Sequence, residues 1–188
     1  WYPSAAKPAS LTLGPTTLHV ARGAAVQGRN LPLVVISHGN GGFFLSHHDT
    51  ASALADAGFV VVAVTHTGDS YADQSRSTFV MDRPRHISRV LDHMLGTWPD
   101  RGVIDPARIG VFGFSSGGFT ALVSIGGLPD FNRVQPLCAQ HPGDYACGLL
   151  ARSGGNVPAL PTYGTSGAAD PRIRAAVALA YRAYRPFE

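Results

Sequence analysis

The 188-residue sequence predicts an α/β fold, a mostly parallel sheet with flanking helices. Short continuous apolar runs, L-V-V-I within Pro32–Ser37 and F-V-V-V-A-V-T over Phe59–Thr65, read as strands buried on both faces. Segments with helical spacing follow them. Each strand–helix–strand passage implies a right-handed crossover, so the strands run parallel. At this length one domain over 1–188 is the natural division.

Residues 1–15 are rich in Pro, Ala and Ser, and no element is assigned to them. Thr16–Ala21 alternates enough for an edge strand, and Gly23–Leu31 reads as a connecting loop. Pro32–Ser37 is the first buried strand and ends in His38-Gly39-Asn40-Gly41-Gly42. Ser46 is the expected cap of a helix through about Ala57, with Ala51, Leu54 and Ala55 on one face and Gly58 stopping it. Phe59–Thr65 is the second buried strand, and His66–Ser77 a polar loop.

Asp82 with Pro84 starts the next helix. Its Ile87, Val90, Leu91, Met94 and Leu95 make the stripe of a helix lying on a sheet, and Gly96 closes it. Asp105-Pro106 turns the chain into a strand, Ile109–Phe114, and the helix after it runs to about Ile125. Residues 126–170 carry much Gly, Pro, Ser and Ala with little periodicity, and read as a long excursion holding one short helix. Asp170-Pro171 repeats the turn chemistry before a last apolar strand, Ile173–Ala180.

Composition narrows the function classes. Hydrophobic residues at 45% against 14% charged are those of a globular chain, not a disordered one. The net charge of +3 comes with no basic run and no interleaving of basic and aromatic residues, so it reads as solvated surface and not as a nucleic-acid footprint. No apolar stretch approaches the ~20 residues of a membrane helix. His47, His48 and Asp49 lack metal-ligand spacing on one helix face, and no metal or cofactor is expected. Cys138 and Cys147 stand nine apart, compatible with a local disulfide in an oxidising compartment or with two free thiols. The compartment stays open, with a periplasmic or secreted one favoured over the cytoplasm.

The chemistry gathers at Gly113-Phe114-Ser115-Ser116-Gly117, a G-x-S-x-G pattern between a strand and a helix. Such a turn forces the serine into an unfavourable backbone conformation and lifts its hydroxyl clear of the sheet edge. The flanking glycines are needed because a side chain there would collide with the neighbouring elements. A serine hydroxyl reacts only when donors hold the developing oxyanion. Those donors are expected to be the backbone N–H of Ser116 and that of Asn40, in the glycine-rich turn His38–Gly42. In a parallel sheet the loops at the carboxyl ends of the strands meet at one edge. His38–Gly42, His66–Ser70 and Ser115 are therefore expected together.

S-H-G-N-G-G, T-H-T-G-D, R-P-R-H-I-S-R-V-L-D and I-G-V-F-G-F-S-S-G-G-F-T together resemble the α/β-hydrolase superfamily. Within it the nearest likeness is to bacterial dienelactone-hydrolase-like proteins, relatives of platelet-activating-factor acetylhydrolase. The resemblance implies a Ser-His-Asp esterase or lipase without metal or cofactor, with Ser115 as nucleophile and Asn40 and Ser116 at the oxyanion hole. The implied substrate is a small-molecule or lipid ester, short-chain or polyester; the oligomeric state is open.

In this superfamily the acid and then the histidine follow the serine on loops after later strands. Only one strand follows Ser115 here, so both are expected beyond residue 188. The domain is then an incomplete α/β-hydrolase fold lacking its last strands, cut at both ends. Its alternative is a hydrolase-like module kept for binding, or an inactive fragment. His38, His66, Asp69 and His141 are the internal candidates for a substitute acid or base.

Overall fold

A computed structural model describes residues 1–152, 154 and 168–179. Strands β1 (Ala9–Leu13) and β2 (Thr16–Val20) form an antiparallel hairpin. Strands β3 (Leu31–Ser37), β4 (Val60–Ala63), β5 (Ile104–Phe114) and β6 (Ala175–Leu179) form a parallel sheet in the order β4-β3-β5-β6. Helix α1 (His48–Asp56) joins β3 to β4, α2 (Arg83–Gly96) lies between β4 and β5, and α3 (Ser116–Ser124) leaves β5. Helices α4 (Val134–Gln140) and α5 (Tyr145–Arg152) follow. This is the mostly parallel sheet with flanking helices that the apolar runs predict.

The pleat divides the core. Leu33, Val35, Ile109 and Val111 face one side, where Ile87, Leu91 and Met94 of α2 and Ala121 of α3 pack on them. Ile36 and Val61 face the other, against Ala51 of α1. Helices on both faces exclude water from the central strands, which is why those strands are apolar throughout.

Four expectations are corrected. The segment before Thr16, to which the sequence assigns no element, holds a strand: Leu13 pairs with Thr16 across Gly14-Pro15, and Gly14 takes φ +57 to make that tight turn. Ser46 does not cap α1, because its hydroxyl accepts the Phe43 N–H at 2.9 Å and closes a turn one step earlier. The described part of residues 126–170 holds two α-helices where one short helix is expected, and the second begins at Tyr145. Strand β5 begins at Ile104, before the predicted turn. Residues 105–108 bulge out of it, held by Asp105, which accepts from the Ala107 N–H at 3.0 Å and Arg108 Nε at 2.7 Å.

Cys138 and Cys147 are bridged, tying α4 to α5. A loop this short is stabilised by about 2–3 kcal/mol. The last strand is described as far as Leu179, and Ala180 lies outside the described residues. Before it, Asp170 accepts from Arg172 Nε at 2.9 Å and Nη2 at 2.6 Å, and Arg172 reaches Asp92 of α2 at 2.7 Å. These bonds from Arg172 hold the Asp170 carboxyl down to about 2.

Candidate active site

Ser115 is the residue between β5 and α3, and its backbone sits at φ 54, ψ −118. That region suits glycine and costs a residue with a Cβ about 1–3 kcal/mol. The glycines around it have no room to be anything else. A Cβ on Gly113 would lie inside the Gly117 carbonyl, and one on Gly117 inside the carbonyl of Ser37 at the end of β3. Strand, turn and helix are thus pressed together at backbone contact, and the serine takes the strained position between them. No described side chain is hydrogen-bonded to its hydroxyl; its backbone N–H donates to Leu179 at 2.8 Å.

The His38–Gly42 turn lies against this elbow. A methyl on Gly39 would stand 3.4 Å from the Ser115 Cβ and 3.3 Å from the Phe114 ring. The Ser116 N–H is the first of α3 and has no partner within the helix. Among the described residues neither it nor the Asn40 N–H makes a hydrogen bond. The turn that carries Asn40 thus approaches the elbow through Gly39, and both amides are left without a partner among the described residues.

The third loop, after β4, packs beneath the turn. The His66 N–H donates to His38 Nε2 at 3.1 Å, and His38 Nδ1 donates to the Gly39 carbonyl at 2.6 Å, so the ring is in the Nδ1–H form. Burial, reinforced by the nearby Arg83 charge, lowers His38 to about 4 and keeps it neutral. His66 Nε2 lies 2.9 Å from the Ser37 hydroxyl and its Nδ1 lies 3.1 Å from His86 Nδ1. Burial drives His66 well below the ordinary histidine range. Both rings have both nitrogens engaged within the fold, and neither is bonded to the Ser115 hydroxyl.

Asp69 is buried and occupied as well. Its Oδ1 accepts the Asn40 side-chain amide at 2.7 Å and the Gly41 N–H at 2.9 Å, and its Oδ2 lies 3.7 Å from Arg83 Nε. Asp69 therefore holds the turn, and no described histidine is bonded to it. His141 ends α4 on the surface, and His47 packs its ring on Phe112 and Phe114 at 5.7 and 5.5 Å. Two residues escape the sequence reading: Arg83, fully buried at the start of α2, and Tyr145, whose hydroxyl donates to Asn40 Oδ1 at 2.7 Å. Arg83 could have been suspected from R-P-R-H opening an amphipathic helix. Tyr145 gives no local signal, since it lies 105 residues from its partner.

A strained serine at a strand-to-helix elbow on a parallel sheet defines an α/β-hydrolase core. The chain belongs to the dienelactone hydrolase family, whose profile matches residues 20–178. NocK of Nocardia uniformis, an esterase by name, is 29% identical over 162 residues, covering 82% of this chain and 44% of that protein. The lasso peptide isopeptidase AtxE2 of Asticcacaulis excentricus is 31% identical over 106 residues, covering 50% of this chain and 15% of its own length. The chain thus spans less than half the length of these curated relatives. Among solved structures, the ferulic acid esterase of Streptomyces cinnamoneus superposes with TM-score 0.49 and 29% identity, over 55% of this chain and 35% of that one. Among the described residues no group of three or more His, Cys, Asp or Glu side chains is placed to hold a metal ion. No helix among them is long and apolar enough to cross a membrane.

Proposed function

We propose that this chain carries the nucleophile and the oxyanion hole of a carboxylic ester hydrolase, with Ser115 as nucleophile. The observation that supports it most is the Ser115 backbone at φ 54 between two glycines that admit no side chain. Strain of that kind persists only where the surrounding structure imposes it. The Ser115 oxygen would bond to the acyl carbon as a base removes its proton. The Asn40 and Ser116 N–H groups would stabilise the tetrahedral oxyanion. The alcohol would leave with a proton, and water would then release the acid. The acid and base are assigned to none of the described residues.

Short-chain, lipid or polyester substrates remain the proposed class, and the Cys138–Cys147 bridge favours a periplasmic or secreted setting. The rival reading, a binding module on a hydrolase core, draws on the absence of any described side chain bonded to the Ser115 hydroxyl. A fluorophosphonate probe separates the two, because it labels only an activated serine. Stoichiometric labelling that maps to Ser115 and vanishes in Ser115→Ala is expected. An unlabelled, folded chain would leave the binding module standing.

A further inference from the structure

We propose that the buried Asp69–Arg83 pair, with Tyr145 of α5, positions the Asn40 amide for catalysis; this rests on the esterase reading above. An asparagine side chain offers one carbonyl oxygen and one amino group. Here both are committed, the amino group to Asp69 Oδ1 and the oxygen to the Tyr145 hydroxyl, each at 2.7 Å. The same Asp69 oxygen takes the Gly41 N–H at 2.9 Å. The Asp69 and Tyr145 bonds thus fix Asn40 from its side chain and from the following amide. The peptide plane that carries the Asn40 N–H is shared with the Gly39 carbonyl, which accepts from His38 Nδ1 at 2.6 Å and from the Gly42 N–H at 3.1 Å. Both sides of Asn40 are therefore held, and with them the direction of the N–H proposed for the oxyanion.

The anchor beneath is ionic. The side chains of Asp69 and Arg83 are 3% and 2% exposed, with Oδ2 and Nε 3.7 Å apart. The same guanidinium donates through Nη2 to the His38 carbonyl. One charge pair thus grips the turn at His38, Asn40 and Gly41. Such a pair gives little net stability over apolar residues of similar volume, because both charges lose their water. What it supplies is fixed orientation without reorganisation, which an oxyanion donor needs.

Tyr145 brings in a distant segment. It lies two residues from Cys147 in the helix that the disulfide ties to α4, and the residue is 60% exposed. The hydroxyl contributes little packing, so its hydrogen bond can be removed without loosening the core. It is a positioning residue, acting through Asn40.

The test is steady-state hydrolysis of p-nitrophenyl acetate by the protein together with the segment that supplies its acid and base, with Ser115→Ala as reference and thermal midpoints measured alongside. Tyr145→Phe should lower kcat about 3- to 10-fold with KM and the midpoint unchanged. Asp69→Asn, which removes the carboxylate charge facing Arg83, should lower kcat about 100-fold. If that variant does not fold, Tyr145→Phe carries the test alone. In an Asn40→Ala background, Tyr145→Phe should cause no further loss, because its only route to the turn has been removed. Wild-type kcat in Tyr145→Phe, an effect on KM alone, or an equal loss in both backgrounds would overturn the proposal. If Ser115→Ala hydrolyses the ester as fast as the parent, the esterase reading fails and this inference goes with it.

Discussion

The two halves of the site are held by different physics. The elbow, Gly113 to Gly117, is fixed by backbone contact: two missing Cβ atoms let β5, α3 and the end of β3 meet. The turn, His38 to Gly42, is fixed by polar side chains from elsewhere in the chain: Asp69, Arg83 and Tyr145. Steric fixation depends on almost nothing outside a few residues and cannot be tuned by solvent. Polar fixation depends on charges and protons, and a change of pH or of one distant residue can loosen it.

The largest effect expected from breaking this contrast is at Gly117. An added methyl would meet the Ser37 backbone carbonyl, which no rotamer can move, so Gly117→Ala should cost more than about 4 kcal/mol and leave little folded protein. A soluble Gly117→Ala chain with a near-native thermal midpoint would show that the elbow is not sterically locked.

Acid should act on the turn instead. The unfolded chain protonates its histidines near 6.5, whereas burial holds His38 to about 4 and His66 well below its ordinary value. Between pH about 6.5 and 4 the unfolded state binds more protons than the folded one, so stability falls as the pH falls through that window. A loss on the order of 2 kcal/mol is expected in urea melts between pH 7 and 4.5. The elbow contains no titratable side chain, so a flat profile would mean that the His38–His66 packing contributes nothing to holding the turn.

The smallest effect is a gain. Ser115 occupies a conformation that glycine adopts freely, so Ser115→Gly should stabilise the chain by about 1 kcal/mol while removing the proposed nucleophile. Calorimetry reads it directly, and an unchanged or lowered midpoint would argue that the φ 54 conformation carries no strain.

Much of the elbow was legible before any coordinates. G-x-S-x-G after an apolar run and before a helix specifies geometry because its requirement is local and negative: the absence of a Cβ where backbones touch. The buried strands were legible for a related reason, since a strand covered on both faces tolerates few polar residues. The glycine-rich turn was legible as a place but not as a mechanism. Asp69 stood out as an acid at the right edge of the sheet, yet its work is to hold Asn40 and Gly41.

The sequence by itself determined the parallel sheet and the strained serine at its elbow, because short-range periodicity and steric exclusion settle them. Only the tertiary structure decided that His38 and His66 are locked into the fold, that Cys138 and Cys147 pair, and that Arg83 lies in the interior against Asp69. It alone brought Tyr145 to Asn40. The physical reason is that a buried charge or hydroxyl must find a partner, and which partner it finds depends on how the chain brings distant segments together.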